Sequence, residues 1–227
     1  MPDVNLIEGV DISHHNGDIN LQSIANAGRK FCIIKCVDGA FNNDNRFQQN
    51  WQKAKAAKLI PGAYLFMRAL HDPVKQADNL INNLAEPFGP GQLPPVLDVE
   101  WDKNRPNDPD KWQFITDPVK RAKVVATCAQ QVKKRIGILP MIYTSRSFWN
   151  PTFGGNTSFM DVDFGECPLW VVDYNPQRVN PLIPTPWKTT GWKIRQYSGT
   201  GKVAGIQPLD LDRFNGALAD LLKLAGQ

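Results

Sequence analysis

The stretch PPVLDVEW, from Pro94 to Trp101, decides how this chain folds. An apolar run bounded by a proline pair and by the polar segment DKNRPNDPDKW (102–112) reads as a short strand buried on both faces. Side chains alternate along a strand, so Asp98 and Glu100 point the same way, with Cα atoms about 6.5 Å apart. Val96, Leu97, Val99 and Trp101 predict apolar surroundings, in which two carboxylates repel each other and resist loss of water. So costly a placement implies that the two acids are used.

Working outward, similar runs occur at GVDIS (9–13), FCIIKCV (31–37), PGAYLFM (61–67), LPMIYTS (139–145), LWVVDY (169–174), WKIRQYS (192–198) and GIQPLDL (205–211), which brings the predicted strands to eight. Helical stretches separate the early strands, over about 20–28, 45–58, 73–85 and 117–135. The last opens on Asp117 as N-cap with Pro118 in its first turn, and Gly137 follows its basic end. Alternating strands and helices predict parallel βαβ units, and eight strands predict a closed barrel. After residue 150 the connections NPTFGGNTSF (150–159) and NPQRVNPLIPTPW (175–187) lack helical periodicity, so the late helices are expected to be missing. FNGALADLLKLAG (214–226) reads as a closing amphipathic helix.

In a parallel barrel the working groups sit where strands end and βα loops begin. Asp11, at the end of the first predicted strand, and Asp210, in the last, fall at points equivalent to Asp98 and Glu100. Closure therefore predicts four carboxylates at one mouth. Crowded acids push each other's pKa values apart, so one stays protonated as a general acid while another stabilises positive charge, as glycoside hydrolysis requires. Tyr64, Phe66, Tyr143, Trp170, Tyr174 and Tyr197 fall at the same strand ends, where rings suit the apolar faces of sugars.

The 227 residues are 42% hydrophobic and 21% charged, with no apolar run long enough to cross a bilayer. A net charge of +4 suits an anionic polymer and falls short of a nucleic-acid signature. The opening MPDVNLIEGVDIS lacks the basic start and apolar stretch of a secretory signal. Cys32, Cys36, Cys128 and Cys167 lie in apolar segments without zinc spacing and read as buried thiols. His14 and His15 are expected to diverge on an extended segment, and His71 to begin a helix. Asp102, Asp108 and Asp110 lack the glycine and glutamate of a calcium loop and read as a solvated loop, and neither metal nor cofactor is expected. Lys133, Lys134 and Arg135 answer a helix dipole, and Trp51 and Trp112 are assigned to packing.

Taken together, these residues resemble the Chalaropsis-type lysozymes, glycoside hydrolase family 25, nearly end to end from Gly9 to Phe214. Asp11, Ile12, Asn16 and Gly17 match the family's opening pattern, and Gly28, Ile33, Ile34 and Lys35 match its glycine, apolar pair and lysine. PGAYLF (61–66) is similar to its G-x-Y-H-F with Leu65 at the histidine, and PPVLDVE (94–100) to its most diagnostic stretch. QYSGTGKVAGIQPLDLDRF (196–214) is similar to its closing segment, with Asp212 at an asparagine. Where the family has Ser or Thr before Glu and Gly, this chain has Val37, Asp38 and Gly39.

The resemblance implies an irregular, flattened TIM-like (β/α) barrel of eight strands and about five regular helices. It implies a muramidase that hydrolyses the β-1,4 bond between N-acetylmuramic acid and N-acetylglucosamine in peptidoglycan. By the same resemblance Glu100 would be the general acid and Asp98 its partner, either orienting the substrate's acetamido group or acting more directly. Asp11 and Asp210 would complete the acidic floor, and Tyr64, Phe66, Tyr143, Tyr174 and Gln196 would contact sugar. The expected protein is one catalytic barrel over residues 1–227 with no wall-binding module. It would be a monomer that engages glycan strands at the bacterial cell wall, with no nucleic acid or membrane partner, as a phage endolysin or a delivered effector. Two alternatives are a carbohydrate-binding barrel weakened in catalysis, for which Val37 and Asp38 leave room, and a glycosidase of chitin-like polymer.

Overall fold

Alternation along the strands determines which side chains fill the barrel and which meet the helices. In the computed structural model, which describes residues 7–159 and 161–227, the elements follow in this order: β1 (Ile7–Ile12), α1 (Leu21–Asn26), β2 (Phe31–Asp38), the two-residue β3 (Asn42–Asn43), α2 (Phe47–Ala56), β4 (Ile60–Phe66), α3 (Pro73–Asn83), β5 (Val96–Asp98) and α4 (Pro118–Ile136). Then come β6 (Met141–Thr144), α5 (Arg146–Phe153), the short β7 (Ser158–Phe159) and β8 (Val162–Asp163), β9 (Leu169–Val172), β10 (Ile194–Val203), β11 (Ile206–Phe214) and α6 (Leu218–Leu224). The first six residues, from which the chain's opening was read, lie outside the described residues.

Strands β1, β2, β4, β5, β6, β9, β10 and β11 pair in that order, and β11 returns to β1 to close an eight-stranded barrel. All neighbours run parallel except β11, which is antiparallel to both β10 and β1. This corrects the expectation that Asp210 ends a parallel strand. A tight turn through Ala204 and Gly205, both at positive φ, joins β10 to β11 and leaves no room for a crossover, so β11 must run backwards. Asp210 lies within β11 and reaches the mouth because its register partner is Asp11.

Inside the barrel Phe31, Ile33, Val96, Met141, Ile194 and Phe214 form an apolar plug with Leu221 and Ala225, so the predicted closing helix seals the end away from the mouth. Outside, Cys32, Ile34, Leu97, Val99 and Val171 pack with Ala122, Val125 and Ala129 of α4. Positions 96, 98 and 100 therefore share the interior, and 97 and 99 the outer layer. Gly9 belongs to the plug: a Cβ there would meet the Phe31 ring at 2.4–2.5 Å. Gly9→Ala is expected to destabilise the fold by about 1–3 kcal/mol, the range for overpacking a filled core, measured as a lower denaturant midpoint at unchanged slope.

Several local expectations hold. Asp117 caps α4 by accepting from the Val119 N–H, Pro118 follows it, and Gly137 ends the helix at φ 85°. All four cysteines are buried and free, and Trp51 and Trp112 are buried. Lys133, Lys134 and Arg135 lie in the last turn of α4, and Arg135 in addition pairs with Asp78 and Asn82 of α3. Others need correction. Asp72, not His71, caps α3, and His71 Nδ1 accepts from the Ala40 N–H at 3.2 Å in the preceding turn. His14 and His15 lie in a 3₁₀ turn with ring centroids 3.9 Å apart, where the tight turn prevents the divergence of an extended segment. Helix α5 occupies part of a segment read as loop, because Ser145 caps it and Phe148, Trp149, Thr152 and Phe153 repeat on one buried face; Gly154 ends it. Trp101 is 45% exposed, because β5 stops at Asp98 and position 101 lies beyond the rim, its ring against Phe148 at 5.1 Å. Among the described residues, no helix is long and apolar enough to cross a membrane.

Candidate active site

Glu100 sits in the bend directly after β5, and the strand's alternation carries through it. Asp98 and Glu100 consequently line one cavity of about 230 Å³ together with Asp11 and Asp210, so all four predicted carboxylates meet. Tyr64, Tyr143, Tyr174 and Gln196 line the same cavity. Phe66 does not: where the β2–β4 register slips, Lys35 and Arg68 cover its ring at 5.0 and 4.6 Å. Tyr197 is also elsewhere, on the outer side, donating to Glu8 beneath Arg213. Trp170 lines the cavity and donates from Nε1 to Asp212 Oδ1 at 2.8 Å.

The segment bearing Glu100 is pinned from several sides. Trp112, read from sequence as packing alone, also donates from Nε1 to the Glu100 carbonyl at 2.9 Å. Asp102 accepts from Arg68 Nη1 at 2.8 Å and from the Ala69 N–H at 3.0 Å, while its own N–H donates to Asp110. The acids read as a solvated loop thus fold that loop against β4. Buried Arg121 ties it to α5 through the carbonyls of Ile115 and Thr152. Fixed supports of this kind hold an acid where a substrate atom will arrive, with little reorganisation left to do.

Across the cavity, Tyr143 and Tyr174 both donate to Gln196 Oε1, at 2.9 and 2.6 Å, which turns the amide so that Nε2 donates to Asp11 Oδ2 at 2.7 Å. Asp98 is buried, and its Oδ1 has no hydrogen-bond partner among the described residues. A buried acceptor without a donor is costly to the fold and available to a ligand.

Burial dominates the titration of the cluster. It pushes Glu100 up to about 7, opposed by the Lys35 charge and helped by Asp210. It lifts Asp98 well above the carboxylate range, with Glu100 adding to the rise and Lys35 opposing it. Asp210 rises to about 6 through burial. Lys35 is therefore the cation that opposes the rise at both acids, with Arg68 adding to it at Asp98, and the sequence assigned it no role. Asp38 holds it at 3.1 Å and binds Arg68 Nη2 at 2.9 Å. Burial raises Asp38, but the Arg68 hydrogen bonds and the Lys35 charge bring it below its usual value. The departure at Val37-Asp38 thus retains a carboxylate that anchors the cation beside the acids.

A second cavity of about 370 Å³ shares Glu100, Tyr143 and Tyr174 with the first and extends it past Trp101, Ser145, Arg146 and Leu182. The acid floor and this more apolar arm form one cleft with Glu100 at the junction. Arg178 borders it but is engaged with both oxygens of Asp173 at 3.0 Å. Among the described residues, no three His, Cys, Asp or Glu side chains are arranged to hold a metal ion.

The chain's similarities agree with this geometry. The sequence model described as Glycosyl hydrolases family 25 matches residues 10–206. Lysozyme M1 of Streptomyces globisporus is 32% identical over 231 residues, covering 98% of this chain and 72% of that protein. N,O-diacetylmuramidase of Chalaropsis sp. is 27% identical over 165 residues, covering 69% of this chain and 74% of that protein. Among solved structures, the bacterial lysozyme from Streptomyces coelicolor aligns with a TM-score of 0.85 at 30% identity over 98% of both chains. A family GH25 lysozyme from Aspergillus fumigatus aligns at 0.82 and 27% identity, over 97% of this chain and 99% of that one.

Proposed function

The chain belongs to glycosyl hydrolase family 25, and from that membership and the acid-floored cleft we propose that it is a lysozyme in which Glu100 delivers the proton to the glycosidic oxygen. Its substrate is bacterial peptidoglycan, and the bond cut is the β-1,4 link from N-acetylmuramic acid to N-acetylglucosamine. The observation that carries the roles is the position of Glu100. It is partly buried, raised to about 7, and placed where the acid floor meets the apolar arm. A bond lying across that junction has its muramyl ring over the carboxylates and its leaving sugar along Trp101 and Leu182.

In this reading Asp98 accepts from the substrate's acetamido N–H through the otherwise unpartnered Oδ1, which favours the ionised carboxylate and aims the acetamido oxygen at the anomeric carbon. That oxygen attacks as the C–O bond breaks, and the leaving oxygen takes the Glu100 proton. The Glu100 carboxylate then removes a proton from the water that opens the cyclic intermediate. Asp11, held by Gln196, and Asp210 add the negative field that stabilises positive charge on the ring. Tyr64, Tyr143 and Tyr174 supply contacts to the sugar, and the cleft is complete within one barrel.

The test is to incubate the protein with purified peptidoglycan and, separately, with chitin, and to identify the new reducing ends. Muramic-acid ends from peptidoglycan are expected. N-acetylglucosamine ends from chitin, with peptidoglycan untouched, would transfer the protein to chitin-like substrates. Release from neither would make it a binding barrel.

A further inference from the structure

The barrel interior holds a fifth carboxylate that the reaction above does not use. Asp212 follows Asp210 by two positions in β11, so it faces the same interior one pleat deeper, and it is 0% exposed. On β1 its register partner is Gly9, which has no side chain to separate it from Asp11 two residues on, and on β10 its partner is Gln196. Its Oδ1 accepts from Trp170, while Oδ2 is buried with no N–H or hydroxyl donor. Asp212 and Asp11 are therefore diagonal neighbours on paired strands, both buried and both facing the interior. Among the described residues neither acid forms an ion pair with Lys, Arg or His.

Two buried carboxyl groups this close, without a cation, repel each other unless a proton lies between them. The titratable groups that face Asp212 are Asp11 on β1, Asp210 on β11 and Tyr174 after β9, while the Cys32 thiol on β2 lies behind the strand in the outer layer. Its remaining neighbours, Gln196 on β10 and Trp170 on β9, are neutral. None of these supplies positive charge.

We propose that Asp11 and Asp212 hold one proton between them, and that this O–H···O bond makes Asp212 a positioning residue that fixes Asp11 against the sugar-binding cavity. Gln196 holds Asp11 from one side and Asp212 from below, so a carboxylate that lines the cavity is set by one that does not. Burial pushes Asp212 up to about 8, against the hydrogen bond it accepts from Trp170 and the proton that Asp11 offers it. Burial, followed by the charge of Asp212, lifts Asp11 well above the carboxylate range. The shared proton is therefore retained through neutral pH. Only the kinetic consequence rests on the muramidase reading.

Asp212→Asn separates the proton from the bond, because an amide donates to Asp11 and accepts from Trp170 without titrating. A carboxyl whose folded pKa lies above its unfolded value takes up a proton on folding. Its presence therefore destabilises increasingly from the ordinary carboxylate range up to about pH 8, then levels. Thermal unfolding of the full chain and of Asp212→Asn should show a Tm advantage for the variant that widens from about pH 4 to about pH 8 by several degrees and is constant above. The infrared band of a protonated carboxyl at pH 7 should weaken in the variant. An advantage that is absent, independent of pH, or narrows with pH would overturn the shared proton. On peptidoglycan, Asp212→Leu should lower kcat at least about tenfold with KM within about twofold, and Asp212→Asn should recover most of the loss. An active Leu variant would overturn the positioning role. If the parent releases no reducing ends, the muramidase reading fails while the thermal comparison still decides the proton.

Discussion

Replacing Glu100 with Gln is expected to lower kcat on peptidoglycan at least about a thousandfold, the scale of removing an acid catalyst together with its electrostatic contribution. Gln has the shape of Glu and can donate an N–H to the glycosidic oxygen, but it cannot transfer a proton, so the leaving sugar would depart as an alkoxide. Binding should change little, because Trp101, Tyr143 and Tyr174 remain in the cleft. The loss should not come from unfolding. Burial raises Glu100 to about 7, so the folded state takes up a proton that the unfolded state releases, and stability falls as pH rises through that window. Gln removes this cost, and the variant should unfold at or above the parent's temperature at pH 7. A slow enzyme that is also less stable would indicate a disrupted rim, because the Glu100 carbonyl anchors Trp112.

Asp98→Asn is expected to lower kcat by about a hundredfold or more, on the scale of losing one preorganised electrostatic contact in a dry site. The amide can still accept an acetamido N–H through its oxygen, so substrate would bind in the same place. It cannot supply the negative charge that drives the acetamido oxygen toward the anomeric carbon. Asp98 is buried and carries an oxygen with no partner, so the substitution should stabilise the resting fold. A slower yet more stable variant is the signature of a residue kept for chemistry, and kcat beside Tm measures both. Unchanged kcat would remove Asp98 from the mechanism.

Much of this arrangement was legible because it is local. Cap residues at Asp117 and Gly137 act within a turn, and alternation from Val96 to Glu100 needs only neighbouring residues, so helix ends and the shared face of two acids could be read directly. Long-range pairing could not. Asp210 was placed at the mouth by assuming a last parallel strand, and it arrives there through the opposite strand direction and its register with Asp11. Trp101 and Phe66 were misread because burial at a strand end depends on what the rim places above it. For Phe66 that is two cations, and for Trp101 it is open cleft. Helix α5 was hidden by its proline and by the glycine pair that ends it. Asp212 was visible only as an acid at an asparagine position, and Lys35 only as one match in a pattern. Their roles depend on the charges that face them across the barrel.

In the proposed mechanism, burial keeps Glu100 protonated at the pH where it must act as an acid. The direct measurement is kcat/KM of the parent protein on soluble peptidoglycan fragments from pH 4 to pH 9, since this ratio reports the titration of the free enzyme. An alkaline limb centred near pH 7, where Glu100 loses its proton, is expected. A limb in the ordinary carboxylate range near pH 4.5, or activity still rising at pH 9, would contradict it.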